Sequence, residues 1–116
     1  RDEAIEHMAA CNVLLHPSLH DSGGWVCLEA MAAGRPVVCL DSGGPAMQVT
    51  PETGFLVRPD APEQVVAGIA RALRVMAADP GLRARLGEEG RRRVAECFDW
   101  DVKGGQMKRL YDECMG

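Results

Sequence analysis

The segment Pro17-Ser18-Leu19-His20-Asp21-Ser22-Gly23-Gly24-Trp25-Val26-Cys27-Leu28-Glu29 gathers residue types that do chemistry. It follows a short apolar run and opens a helical pattern, with two adjacent glycines lying between two acids. Glycines let main chain approach a ligand closely, and the N–H groups at a helix start favour an anion such as a diphosphate. Asp21 precedes the glycines, and Glu29 lies about one helical turn inside, on the face that Trp25 starts. Carboxylates do not bind phosphates. Flanking an anion site, they suit neutral hydroxyls that need acceptors: a sugar on one side and a ribose on the other.

Simpler readings of the same residues stand beside this one. Asp21 alone would serve as a helix N-cap or a solvated loop residue, and Glu29 as an exposed helix position. Trp25 reads as ordinary core, with only its amide entering the site. His16 and His20 are four apart beside a carboxylate, but Pro17 between them prevents a shared helical face, so no metal site is expected. His16 reads as a satisfied histidine at a strand end, and His20 as the better functional outsider. The five cysteines, Cys11, Cys27, Cys39, Cys97 and Cys114, are odd in number and nowhere spaced C-x-x-C. They read as buried or idle thiols in a reducing cytoplasm, neither a zinc site nor a disulfide framework.

The elements that must position the segment follow from the apolar pattern. Asp2 to Cys11 reads as a helix with Ile5, Met8 and Ala9 along one stripe. Asn12 to His16 reads as a short buried strand stopped by Pro17. A helix is expected from Trp25 to Ala33, closed by Gly34 in a left-handed conformation, then a buried strand Val37 to Leu40. Asp41 to Pro45 reads as a turn, Ala46 to Val49 as one helical turn, and Phe55 to Val57 as a third strand.

Further on, Asp60-Ala61-Pro62-Glu63 has capping-box spacing ahead of a stripe formed by Val65, Val66, Ile69, Leu73 and Met76. Asp79-Pro80 restarts a helix carrying Leu82, Leu86 and Val94. The last helix, from Asp99, places Met107, Leu110, Tyr111 and Cys114 on one side. Short apolar strands alternating with helices predict an α/β class: a Rossmann-like parallel sheet flanked by helices on both faces. Three strands fall short of the roughly six of a doubly wound domain, so the chain reads as a single, truncated domain lacking its first strands.

Composition narrows the function. In 116 residues, 47% are apolar and 26% charged, and 13 basic residues against 17 acidic ones give a net charge of −4. That balance argues against a nucleic-acid partner, because phosphate backbones demand a basic face. Arg71, Arg74, Arg83, Arg85 and Arg91-Arg92-Arg93 form a basic stretch that reads first as a solvated helix face and second as a peripheral membrane contact. No G-x-G-x-x-G follows a strand, which disfavours a dehydrogenase-type nucleotide unit.

The string P-S-x-x-D-x-G-G-x-V-x-L-E-A-M-A-A-G-R-P-V-V, Pro17 to Val38, resembles the signature of retaining glycosyltransferases of family 4, within the GT-B fold group. Asp41 to Pro45, Thr53 to Val57, Phe98-Asp99-Trp100 and Leu110-Tyr111 resemble that family's later blocks in the same order. The resemblance implies the C-terminal, donor-binding half of a GT-B enzyme, with catalytic roles at Asp21 and Glu29. Asp21 would accept hydroxyls of the donor sugar and hold its reacting carbon. Ser22 and the amides of Gly23, Gly24, Trp25 and Val26 would line the sugar and terminal phosphate, and Glu29 would grip the ribose.

It also implies a UDP- or GDP-type nucleotide-sugar donor, no metal or other cofactor, and a carbohydrate or lipid-linked acceptor. Location would be cytoplasmic, at most peripheral to a membrane. The sequence departs from the family at three places. Asp21 stands where glutamate is usual, Ser22-Gly23 where a glycine-aromatic pair is usual, and Met47 or Gln48 where an acid is common. The upstream basic pair and the acceptor domain fall outside the chain, so this part alone is expected to transfer nothing. A non-catalytic nucleotide-sugar-binding module of the same fold is the alternative.

Overall fold

The computed structural model describes all 116 residues. Its three strands, β1 (Leu14–His16), β2 (Val37–Leu40) and β3 (Gly54–Val57), form a parallel sheet in the order β1-β2-β3. Leu14 sits opposite Val37, which in turn sits opposite Gly54. Val37-Val38-Cys39-Leu40 is apolar at every position because β2 is central and buried on both faces. The expected burial of the first strand is not met. β1 begins later than predicted and is half-buried, with Leu15 41% exposed, because it is an edge strand.

Alternation along β2 divides the core in two. Val37 and Cys39 pack with Val49 and with Cys27, Ala30 and Met31 of α2 (Trp25–Ala32), backed by Met8 of α1 (Asp2–Ala10). Val38 and Leu40 pack on the other face with Val57 and with Ala72 and Met76 of α4 (Pro62–Ala78). Leu86 of α5 (Pro80–Arg93) joins this second cluster. Helices therefore cover both faces, as the α/β pattern predicts. Burial pushes the Cys27 thiol up to about 12, with the nearby Cys39 and Asp21 charges adding to it. Burial, then the Asp41 charge, pushes Cys39 up to about 11, so neither is a thiolate at neutral pH.

Local starts and stops differ from expectation in three places. α3 (Gly43–Gln48) begins at the glycine pair that reads as a turn, with Pro45 inside its first turn where no donor is missed. The capping box at Asp60 does not form: Ala61 is the N-cap of α4, and Asp60 instead pairs with Arg58 at 3.2 Å. Asp79 does cap α5, accepting from the Leu82 amide at 3.0 Å. α5 then runs into a π-helical segment, Val94–Phe98, which leads to α6 (Trp100–Met115). α6 buries none of its residues, and Met107, Leu110 and Tyr111 on its apolar side are all exposed.

Trp25 is the clearest correction. It is 61% exposed and stacks on Trp100, ring centroids 6.0 Å apart and planes 28° from parallel. As the first residue of α2, its side chain lies outside the sheet-facing stripe formed by Cys27, Ala30 and Met31. Trp25→Ala is accordingly expected to cost at most about 1.5 kcal/mol, the value of an aromatic pair. A buried tryptophan would cost about 3–5 kcal/mol, and urea denaturation distinguishes the two.

Candidate functional site

β1 ends at His16, and the chain crosses the carboxyl edge of the sheet to reach α2. That crossing is folded by Asp21. Its Oδ1 accepts the Gly24 amide at 2.8 Å and the Gly23 amide at 3.0 Å, while Oδ2 meets His16 Nε2 at 2.8 Å. Gly24, the N-cap of α2, has φ 63°, a conformation that side chains with a Cβ rarely adopt. The start of α3 closes over the loop. The Gly44 amide donates to Asp21 O at 2.8 Å, and a Cβ at Gly44 would lie 2.5 Å from Ser22 O. The second glycine pair thus exists because backbone meets backbone there.

The expected floor of four amides is reduced to two. The Gly23 and Gly24 N–H groups donate to Asp21, whereas those of Trp25 and Val26, at the start of α2, donate to no protein acceptor. The expected single pocket is also divided. Asp21 and Ser22 border a depression of about 260 Å³ with Leu19, His20 and Gly43. Glu29 borders another, of about 310 Å³, with Ile5, Met8, Ala32 and Ala33. Glu29 is the fifth residue of α2, so it lies past the helix start and beside α1, where its carboxylate is 3.3 Å from Arg1. A larger depression, about 410 Å³ between β3 and α4, contains no residue of the loop.

His16 is the satisfied strand-end histidine that the sequence suggests, paired with Asp21, whereas His20 is exposed and has no side-chain partner at the site. Both members of the pair keep some solvent access, at 20% and 26% exposure. No three His, Cys, Asp or Glu side chains converge on a metal position. The basic stretch is partly drawn into the fold. Arg83 donates to carbonyls at the end of α4, Arg92 pairs with Glu89, and Arg93 Nε donates to Gln48 O at 2.7 Å.

The Gly24 amide is the main reason that the Asp21 carboxyl is held below its ordinary 3.8. Partial burial opposes it, while the His16 hydrogen bond, the Gly23 amide and the His16 charge reinforce it. A depressed folded value means that the carboxylate's stabilisation is complete above about pH 4 and is lost as pH falls through the folded value. Acid titration followed at the Gly23 and Gly24 amides should give a midpoint below 3.8. Asp21→Asn should abolish that transition.

A parallel sheet flanked by helices, with a glycine-bearing loop leading from a strand end into a helix, defines a Rossmann-like α/β domain. The chain belongs to the family described as glycosyl transferases group 1, which matches residues 1–93. It is 39% identical over 116 residues to the D-inositol 3-phosphate glycosyltransferase of Streptomyces avermitilis, covering 99% of this chain and 24% of that protein. The chain therefore spans about a quarter of that relative's length.

Among solved structures, sucrose-phosphate synthase from Thermosynechococcus elongatus superposes with a TM-score of 0.80 at 37% identity, over 94% of this chain and 27% of that one. Anabaena Alr3699/HepE in complex with UDP gives 0.83 at 25% identity, over 97% and 30%. The same protein in complex with UDP-glucose gives 0.75 at 27% identity, over 93% and 29%. The glycosyltransferase resemblance of the sequence is upheld at the level of this family.

Proposed function

We propose that the chain is the donor-binding part of a retaining glycosyltransferase that moves a hexosyl group from a nucleoside-diphosphate sugar to a carbohydrate or lipid-linked acceptor. One observation carries the reading. Asp21 folds the glycine loop so that the Trp25 and Val26 N–H groups stand without acceptors at the start of α2, beside a carboxylate. The terminal phosphate of the donor takes those two N–H groups, whose orientation at a helix start favours negative charge. Asp21 faces the sugar, and Glu29 receives the ribose farther along α2. The donor thus spans two depressions rather than filling one.

Catalysis on this reading is positional and electrostatic. The bond from the anomeric carbon to the diphosphate breaks, the acceptor oxygen bonds to that carbon on the same face, and the acceptor proton passes to the leaving diphosphate. Asp21 stabilises positive charge growing at the sugar ring, and the α2 amides stabilise negative charge growing on the phosphate. No metal enters the proposal, because helix-start N–H groups meet charge on the diphosphate. The reaction is placed in the cytoplasm, beside a membrane when the acceptor is lipid-linked.

A binding module without turnover is the second reading. It is favoured by the Asp21 carboxylate's existing commitment to two amides and His16. Thermal shift of the chain against UDP-, GDP- and ADP-glucose tests the shared part: one nucleotide series should raise the melting temperature saturably. No shift with any of them would defeat both readings. Transfer by the enzyme that carries the chain separates them.

A further inference from the structure

We infer that Gln48 is a positioning residue for the donor loop, holding the peptide that sets the direction of the α2 amides; this rests on the nucleotide-sugar reading above. Gln48 is the last residue of α3 and is only 6% exposed. Its Nε2 donates to Gly23 O at 2.6 Å. Gly23 C=O and Gly24 N–H belong to the same planar peptide unit. Gln48 therefore grips the oxygen end of that plane, while Asp21 Oδ1 grips the nitrogen end at 2.8 Å. With both ends held, the plane cannot rotate, and the next two amides, those of Trp25 and Val26, inherit its orientation.

Gln48 is itself anchored. Arg93 Nε donates to Gln48 O at 2.7 Å and its second nitrogen donates to Met47 O at 3.1 Å, engaging carbonyls at the end of α3. The Arg93 guanidinium lies 5.4 Å from the centre of the Phe98 ring, which ties the anchor to the π-helical segment. Gln48 also lies flat against Gly24, where a Cβ would come within 2.6 Å of its Oε1. That Oε1 is buried and has no hydrogen-bond partner. Buried polar atoms without partners are uncommon because they are costly. A methionine would fill this space without stranding an acceptor, so packing alone does not explain a glutamine here. Orienting the Gly23 carbonyl does.

The test is Gln48→Met, which keeps the side chain's length and removes both its donor and its stranded acceptor. The melting temperature should hold or rise, while UDP-glucose affinity by calorimetry falls about tenfold, roughly the net effect of one hydrogen bond. Without any ligand, amide exchange at Gly24, whose N–H is bonded to Asp21, should quicken while exchange in β2 stays as in the parent. Unchanged exchange at Gly24 overturns the inference. So does a melting temperature that collapses together with affinity, since Gln48 would then be supporting the fold at large. A parent chain that fails to bind UDP-glucose counts against the nucleotide-sugar reading, while the exchange comparison still decides the role of Gln48.

Discussion

Asp21→Asn is expected to lower kcat for sugar transfer, in the enzyme that carries this chain, by roughly 10²–10³-fold while leaving UDP affinity within about threefold. Asparagine keeps a side-chain oxygen able to accept the Gly24 amide, so the loop retains its shape. What disappears is the negative charge. Departure of the diphosphate leaves oxocarbenium-like positive charge on the sugar, and a carboxylate facing it acts more strongly on that state than on the bound donor. On the proposed reading the nucleotide is held elsewhere, by the Trp25 and Val26 amides and Glu29, so its affinity should change little. Glu29→Ala should behave differently, weakening UDP binding by about tenfold and losing transfer with it. Steady-state kinetics beside calorimetry separates the pair. Two variants that both behave like the parent would remove the assigned roles.

Gly54→Ala should destabilise the chain by about 3 kcal/mol or more, enough to unfold a marginal domain. A Cβ at Gly54 would sit 2.0 Å from Val37 O and 3.0 Å from Val37 C, both backbone atoms of the central strand. A flexible side chain can move aside from such a contact. Here the obstacle is the register partner of Gly54 in β2, so relief requires β3 to shift against the sheet. Val37 and Val57 both belong to buried clusters, and such a shift would disturb both core layers. Chemical denaturation provides the check. Gly104→Ala is the control, because its Cβ meets nothing within 4 Å and should add helicity to α6. Equal stabilities for Gly54→Ala and the parent would mean that the strand register is not as described.

The parts of the fold legible in the sequence were those set by local rules. Val37 to Leu40 could only be a strand buried on both faces, and Gly34 follows α2 with φ 73° as a terminating glycine does. The helix restart at Asp79-Pro80 was equally local. The failures were long-range. Gly43-Gly44-Pro45 has turn composition, yet it starts α3, because these glycines answer to the carbonyls of Asp21 and Ser22 rather than to each other. Trp25 looked like core because large aromatics usually are, but the position of α2 on the sheet turns it outward onto Trp100.

At the site, Asp21, the glycines and the helix start were readable from spacing. Their hydrogen bonding was not. Nothing in the spacing says that Asp21 holds two of the four expected amides, or that Glu29 opens beside α1. The contribution of His16 was half visible, as a histidine at the strand end five residues before the acid. Gln48 and Arg93 left no local signal, since they reach the loop and α3 from 25 and 45 residues away.

Titration of the isotopically labelled chain with UDP-glucose, followed residue by residue through its backbone amide resonances, is the most direct test of where the donor binds. The Trp25 and Val26 amides should move first and furthest, saturably, with Glu29 and its neighbours following and the β3–α4 groove silent. Resonances at Trp25 and Val26 that stay in place while those lining the β3–α4 groove shift would contradict a donor site at the start of α2.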